Sequence, residues 1–118
     1  MNETEDIADW QFFHDEGVKL FRNCKKYRAA IEAFSNAIKC AEEAQLADSY
    51  IARALVYYEL ADYDNVIADC TVAINLLNNL DAHKISHLHI TRGMAYKYKK
   101  QFDEASADFQ ISASLHRI

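Results

Sequence analysis

Two histidines, His83 and His87, have the spacing of a metal-binding pair. Because they stand four residues apart, both rings would project from one face of a helix and could share a metal ion. No cysteine or carboxylate accompanies them on that face, whereas a zinc site needs three or four protein ligands. We therefore interpret both as solvated histidines near a helix start, and we predict no metal and no cofactor. A small metal-dependent enzyme built on this pair is the most distant of three hypotheses.

The chain carries no recognisable arrangement for nucleophilic or acid–base catalysis. Three serines near the C-terminus, Ser106, Ser112 and Ser114, have no evident histidine and aspartate partners. The adjacent acids Asp103 and Glu104 are typical of a helix start, where the helix dipole favours negative charge. GxSxG, HExxH and phosphate-binding glycine loops are absent from the sequence. These observations predict that the protein is not an enzyme.

The three cysteines, Cys24, Cys40 and Cys70, are odd in number and widely spaced. Such a set favours free thiols in a reducing compartment over a disulfide framework. The acidic N-terminus lacks the layout of a secretory signal, and no apolar run is long enough to cross a bilayer. We therefore expect a cytoplasmic protein without a membrane partner.

The charge balance argues against nucleic-acid binding. The chain has 18 acidic and 13 basic residues and a net charge of −5, so a phosphate backbone would be repelled overall. Basic side chains do cluster in residues 19–28 and 97–100, but the acidic stretch 59–64 separates the two clusters. We interpret both clusters as solvated helix ends and turns, and we predict no nucleic-acid partner.

Composition points to one all-helical domain. A chain of 118 residues has room for one core, and 51% apolar with 26% charged residues is typical of a globular protein. The chain contains no proline and only two glycines, too few turn-forming residues for a β-sandwich or a β-barrel. An all-α fold is what remains.

One helical stripe occurs three times along the chain. Its reference aromatics are Tyr27, Tyr63 and Phe102, and apolar or small residues follow each of them at +3, +4, +7, +10 and +11. These offsets describe one face of a helix with 3.6 residues per turn. The chain therefore contains three equivalent amphipathic helices, one in each repeat.

A small residue precedes each reference aromatic at an equivalent place. We call Gly17, Ala54 and Gly93 the small-residue positions, and the reference aromatics follow them at +10, +9 and +9. A glycine inside a helix costs about 1 kcal/mol relative to alanine, so it is reasonable only where another helix comes too close for a side chain. We predict that the two helices of each repeat pack tightly at this position and are joined by a short turn.

This pattern resembles the tetratricopeptide repeat. The resemblance rests on three sets of residues: Phe13, Gly17, Leu20, Tyr27, Ala30, Phe34 and Ala37; Tyr50, Ala54, Tyr57, Tyr63, Val66, Cys70 and Ala73; and Gly93, Tyr96, Phe102, Ala105, Phe109 and Ser112. It implies an all-α fold in which three helix-turn-helix repeats, six helices in all, form a right-handed solenoid. Residues 1–118 would be a single domain with repeats at approximately 10–44, 47–80 and 83–118.

The sequence departs from the family pattern in the length of its repeats. The family unit has about 34 residues, whereas the reference aromatics here are 36 and 39 residues apart. We place the extra residues in the first turn and in the connections at 42–47 and 77–84. The expected helices span about 7–24, 27–44, 47–60, 63–78, 83–99 and 102–117, and we expect Asp48 or Asp81 to begin a later helix.

The resemblance also implies a binding surface. Tetratricopeptide arrays generally bind a peptide or a helix in a concave groove lined by the first helix of each repeat. The groove residues that this geometry predicts here are His14, Val18, Phe21, Ile51, Leu55, Tyr58, His87, Ile90, Met94, Lys97 and Tyr98. Most are apolar, which suits the docking of a hydrophobic or amphipathic segment of a protein or peptide. The leading hypothesis is a non-catalytic protein–protein interaction module, an adaptor or co-chaperone-like domain.

The sequence is similar to co-chaperone repeats at ADCTVAI (residues 68–74) and RGMAY (residues 92–96). Many of those domains hold the acidic tail of a heat-shock chaperone in a carboxylate clamp of two lysines, two asparagines and an arginine. The positions that would carry the clamp here are His14, Val18, Ala52, His87 and Thr91, and none of them matches. Because charge-assisted donors to a carboxylate are missing, we do not expect binding of an acidic chaperone tail.

A self-associating structural scaffold is the alternative hypothesis. The last helix carries an apolar stripe, Ile111, Leu115 and Ile118, with no later helix to cover it. Terminal repeats of a solenoid need a polar outer face or a cap. We predict that this stripe contacts another chain or a crystal neighbour, and contact with a second copy would make the protein a homo-oligomer through its C-terminal helix.

Overall fold

The computed structural model describes residues 3–115, with side chains from residue 9 onwards, and this part of the chain consists of helices and short turns. The six helices are α1 (Glu3–Arg22), α2 (Tyr27–Cys40), α3 (Glu43–Glu59), α4 (Tyr63–Leu77), α5 (Ala82–Tyr98) and α6 (Phe102–Leu115). The predicted all-α fold of six helices is confirmed. Within residues 3–115 no helix combines the length and the apolar character that crossing a membrane requires.

The helices form three pairs that stack side by side. The pairs are α1 with α2, α3 with α4 and α5 with α6, and each later pair packs its first helix on the second helix of the pair before it. Short turns join successive helices, so that chain neighbours run antiparallel. The array measures 44 × 30 × 20 Å. Because α1 also touches α3, the first helices of the pairs lie along one side of the array.

One left-handed residue reverses the chain between the two helices of every repeat. Lys25, Ala61 and Lys100 have φ angles of 52°, 57° and 64°, and each lies two residues before a reference aromatic. None of them is a glycine, so each turn holds a side chain in a conformation that L-residues adopt rarely. The first turn is longer, as predicted: the Lys26 amide donates to the Leu20 carbonyl six residues back (2.9 Å), whereas the equivalent bonds of the later turns span five residues.

Capping residues decide where α3 and α5 begin. Glu42 and Gln45 form a reciprocal capping box, in which the Glu42 amide donates to the Gln45 side chain at 3.1 Å. Because of this cap, α3 begins four residues before the predicted start at residue 47, and Asp48 lies inside the helix. Asp81 does begin a helix, because its carboxylate accepts the Lys84 amide at 3.0 Å.

The small-residue positions lie where the two helices of a repeat touch, as predicted. A Cβ atom added to Gly17 would lie 2.6 Å from the ring of Phe34, and one added to Gly93 would lie 2.7 Å from the ring of Phe109. Both distances are far below van der Waals contact, which is about 3.5–4.0 Å between carbon atoms. Only a residue without a side chain therefore fits beside either ring in its present position.

An arginine in each later repeat pairs with a buried carboxylate of the same repeat and also donates a hydrogen bond to the repeat before it. The Arg53 guanidinium on α3 donates twice to the Asp69 carboxylate on α4, at 2.8 Å each, and once to the Ser35 hydroxyl on α2 at 3.0 Å. The same arrangement in the next repeat consists of Arg92, Asp108 and Thr71, at 2.7–3.0 Å. A planar guanidinium suits this role because it binds one carboxylate with two nitrogens and keeps a third nitrogen for another helix.

Candidate functional site

A groove lies between α3 and α5, the first helices of the second and third repeats. It consists of one pocket of about 380 Å³ and an adjoining pocket of about 290 Å³, which share Leu55, His87 and Thr91. We call their combined surface the central groove. Its large apolar lining residues are Ile51, Leu55, Tyr58, Leu88, Ile90 and Met94.

The central groove is apolar on its walls and at its floor. On the walls, Leu55 is 43% exposed and Ile90 is 37% exposed, so core packing leaves both side chains in contact with water. At the floor, Ala54, Cys70 and Leu88 are buried. Burial raises the pKa of the Cys70 thiol to about 12, so this group is neutral at physiological pH. Neighbouring apolar side chains that face water in one concavity are typical of a docking surface.

Polar side chains stand at the rim of the larger pocket. Lys84 donates to the Asp48 carboxylate at 3.0 Å, and this hydrogen bond raises the pKa of Lys84. The pair is well exposed, so it contributes little to stability. The rings of His83 and His87 meet edge to face with centroids 5.8 Å apart. Among the described side chains, no third histidine, cysteine or carboxylate joins them in a group that could hold a metal ion.

The structure brings six of the eleven predicted groove residues together in the central groove. They are Ile51, Leu55, Tyr58, His87, Ile90 and Met94. All six lie on α3 or α5, so the concavity is centred on the second and third repeats. The first repeat contributes none of the lining residues of either pocket.

The predicted groove residues of α1 take part in packing within the first two repeats. His14 stacks on Trp10 with ring centroids 4.8 Å apart, and its Nδ1 lies 3.3 Å from the Ser49 hydroxyl. Burial lowers the pKa of His14, so its ring is neutral near pH 7. Val18 and Phe21 are partly buried against the core shared by α2 and α3. These side chains hold repeats together and offer little free surface.

Lys97 and Tyr98 belong to different surfaces although they are adjacent in the chain. Tyr98 stacks on Tyr63, with centroids 5.0 Å apart and 10° between the ring planes, and meets Tyr58 edge-on at 6.3 Å. This stack of tyrosines lies beside Tyr58 at one end of the central groove. Lys97 instead lines a separate pocket of about 420 Å³ on the α6 side of the domain.

Apolar side chains of α6 are exposed to water at the C-terminal side of the array. Ile111 is 43% exposed and Leu115 is half-buried, whereas Ile118 lies outside the described residues. Phe102 is 61% exposed and lines the pocket of Lys97 together with Phe109. This pocket uses the face of α6 that corresponds to the faces of α2 and α4 on which the next repeat packs.

Sequence reasoning missed two groups of polar contacts between repeats. One joins Trp10 to Ser49, whose hydroxyl accepts the indole Nε1 proton at 2.7 Å. The other is the pair of arginine networks described above. The sequence does contain a signal for the arginine networks. Arg53 and Arg92 both stand immediately before a small-residue position, and an aspartate follows the reference aromatic of each of those two repeats at +6.

Comparison with known proteins finds relatives among solved structures. No protein-family profile matches the chain, and no curated protein matches it. The N-terminal domain of stress-induced protein-1 (STI-1) from C. elegans superposes with a TM-score of 0.84 at 20% identity, over 100% of this chain and 91% of that chain. The Arabidopsis OM64 TPR domain gives 0.80 at 24% identity, over 93% and 84%. The second TPR of Spaghetti (RPAP3), bound to the HSP90 peptide SRMEEVD, gives 0.77 at 27% identity, over 91% and 92%.

The stacked pairs of helices and these superpositions define an α-helical repeat protein. More specifically, the chain has the tetratricopeptide fold, which all three structural neighbours share. The resemblance that the three sets of repeat residues indicated is thereby confirmed.

Proposed function

We propose that this domain is a non-catalytic protein–protein interaction module that binds a hydrophobic or amphipathic peptide segment in the central groove. The observation that carries the proposal is the exposure of Leu55 and Ile90 on two helices that face one concavity. Covering such apolar surface by a partner is favourable by about 25 cal/mol per Å². The peptide bound to the RPAP3 domain, which is 27% identical to this chain, supports a peptide as the kind of partner.

The expected partner is not an acidic chaperone tail. The RPAP3 neighbour is bound to the HSP90 peptide SRMEEVD, which ends in acidic residues and a carboxylate. At the clamp positions of this chain, Val18, Ala52 and Thr91 have no charged donor. His14, at a further clamp position, is neutral near pH 7 because burial lowers its pKa. An apolar groove without these donors favours apolar side chains over carboxylates.

A displayed library of random 12-residue peptides tests the proposal, with Leu55→Glu as the decisive variant. Peptides selected on the wild-type domain should lose at least tenfold in affinity, because the new carboxylate would face an apolar partner surface without a counter-ion. The exposed Leu55 side chain is not part of the sealed core, so helicity by circular dichroism should be unchanged. Lys25→Glu and Lys26→Glu, which also add a carboxylate but in the first turn, are the controls that should leave affinity intact.

Two results would count against this assignment of the groove. If Leu55→Glu unfolds the domain, the side chain belongs to the core. If the two lysine variants abolish binding and Leu55→Glu does not, the partner uses the basic edge and binding is electrostatic.

The missing clamp gives a separate test with SRMEEVD itself. Isothermal titration calorimetry near pH 7 should detect no binding of this heptapeptide tighter than about 0.1 mM, equivalent to about −5.5 kcal/mol. Micromolar binding that disappears when the terminal carboxylate is amidated would show that other cations of the domain replace the clamp.

A self-associating scaffold is the second candidate function, and the exposure of Phe102 and Ile111 on α6 favours it. If α6 docks on another copy, size-exclusion chromatography with light scattering should give a dimer or a larger species at micromolar concentration. Ile111→Asp should then return the protein to a monomer. A monomer at all concentrations excludes this candidate and leaves the peptide-binding proposal unaffected.

We further propose that the protein is cytoplasmic. The three cysteines are free, with Cys24 exposed, Cys40 half-buried and Cys70 buried. Exposed free thiols persist where the cellular thiol pool is reducing. Fractionation of cells that express the tagged full-length protein tests this part of the proposal.

A further inference from the structure

The junction between the first two repeats is filled by aromatic side chains. Trp10 is 8% exposed, and its indole Nε1 donates to the Ser49 hydroxyl at 2.7 Å. The indole stacks on His14 with centroids 4.8 Å apart, and His14 in turn meets the ring of Phe34 edge-on at 5.3 Å. Three rings from α1 and α2 thus occupy the space beside α3.

The junction between the second and third repeats has the same register but smaller side chains. The residues that correspond to Trp10, His14, Phe34 and Ser49 are, in that order, Ala47, Ile51, Cys70 and Leu88. A methyl group, an aliphatic chain and a thiol replace three rings, and they cannot fill a space that protein interiors otherwise keep closely packed. The 380 Å³ pocket of the central groove opens at this place and is lined by Ile51, Cys70 and Leu88.

We propose that this pocket receives one phenyl ring of the partner segment, an inference that rests on the proposed function of the central groove. The ring takes the place that the side chains of Trp10 and Phe34 fill at the first junction. A phenyl ring suits the pocket better than an indole, because Leu88 stands where Ser49 accepts the indole proton. A buried N–H group without an acceptor opposes binding.

The volume of the pocket and the uncharged side chains at its floor are compatible with a phenyl ring. Its volume of about 380 Å³ falls at the lower end of the range for small-ligand sites, about 300–1,000 Å³. Ala54, Cys70 and Leu88 at the floor are buried, and the Cys70 thiol is neutral, so the floor of the pocket presents no charge to an entering ring. Lys84 and the two histidines stand at the rim, where they can meet the polar backbone of the bound segment.

The chain itself supplies the design of a variant in which the pocket is filled. In the first and third repeats a phenylalanine ring lies directly against Gly17 or Gly93. Cys70→Phe alone would drive the new ring into the Ala54 methyl group, so the double variant Ala54→Gly/Cys70→Phe is used to reproduce the glycine–phenylalanine pair. Ala54→Gly alone is the matched control, because it weakens the helix equally and leaves the pocket open.

The probe is N-acetyl-phenylalaninamide, titrated into the full chain and followed by methyl NMR. We expect saturable shifts of the Ile51 and Leu88 methyl groups, and nuclear Overhauser contacts from the ring protons of the probe to the same methyls. Ala54→Gly should bind the probe as the wild type does, whereas the double variant should bind it at least tenfold more weakly. N-acetyl-alaninamide should produce no saturable shift.

Equal affinity of the double variant overturns the inference, and so does tighter binding of N-acetyl-leucinamide than of the phenyl probe. If the double variant does not fold, the contacts from the probe to Ile51 and Leu88 in the wild type decide the question, and their absence refutes the assignment. Failure of the proposed function gives a different result: the probe fills the pocket, yet no library peptide binds. If library peptides bind the wild type and the double variant equally, peptide binding in the central groove is supported, but the inference that the pocket receives a phenyl ring is wrong.

Discussion

Gly17→Ala adds one methyl group at the tightest contact between α1 and α2. The added Cβ would lie 2.6–2.8 Å from three atoms of the Phe34 ring, so the ring or the helix must retreat by about 1 Å to reach van der Waals separation. Phe34 is only 1% exposed, so its ring is enclosed by neighbouring side chains and cannot retreat into solvent. Overpacking costs about 1–3 kcal/mol, and a fully buried ring puts the cost near the upper value. Alanine favours the helix by about 1 kcal/mol relative to glycine, which offsets part of this cost and leaves a net destabilisation of about 2 kcal/mol.

Thermal unfolding followed by far-ultraviolet circular dichroism is the assay. A loss of about 2 kcal/mol should lower the Tm by about 6–10 °C in a domain of this size. Gly93→Ala should cost less, because Phe109 is only partly buried and can move. In a Phe34→Cys background, Gly17→Ala should become neutral or favourable, since the pair then matches the small pair of the second repeat. A rise in Tm on Gly17→Ala in the wild-type background would refute the reasoning.

Three further predictions follow from the buried polar and titratable groups. Asp69→Ala leaves the Arg53 guanidinium without its carboxylate and should destabilise the domain by about 3–5 kcal/mol in urea denaturation; a loss below about 1 kcal/mol would mean that water replaces the pair. Ellman's reagent at pH 8 should modify the exposed Cys24 at once and Cys70 only on unfolding, because burial raises the pKa of Cys70 to about 12. Burial lowers the pKa of His14 in the folded state, so the unfolded state binds the proton more readily and stability falls as the pH drops below about 6.5. His14→Gln should flatten this part of the Tm–pH curve, and an unchanged curve would contradict the assignment.

The repeat register could be predicted from the sequence because backbone geometry imposes it. A glycine inside a helix is costly enough to need a reason, and Gly17 and Gly93 share a position three residues before a large side chain. That coincidence was sufficient to place the helix contacts. The starts of the helices were harder to predict from the sequence. Glu42 and Gln45 form the capping box that begins α3 early, but several other acidic residues in the sequence are equally plausible as helix caps.

The shape of the groove could not be read from periodicity alone. His14 and Ile51 occupy the same register position, yet His14 is packed under Trp10 and Ile51 lines the larger pocket. The difference arises from which neighbouring side chain is large enough to fill the junction, and the neighbours lie on other helices. Cys70 shows the same limit: the sequence marks it as a small core residue, but the space that it leaves becomes visible only when α3, α4 and α5 are assembled.

The central claim is that a partner segment docks between α3 and α5. Methyl NMR of the wild-type domain, titrated with a peptide selected from the random library, tests it most directly. We expect saturable shifts concentrated on Leu55 and Ile90, which form the exposed walls of the central groove, and on their neighbour Met94. Shifts concentrated instead on Ile111 and the other residues of α6, with the central groove unchanged, would contradict it.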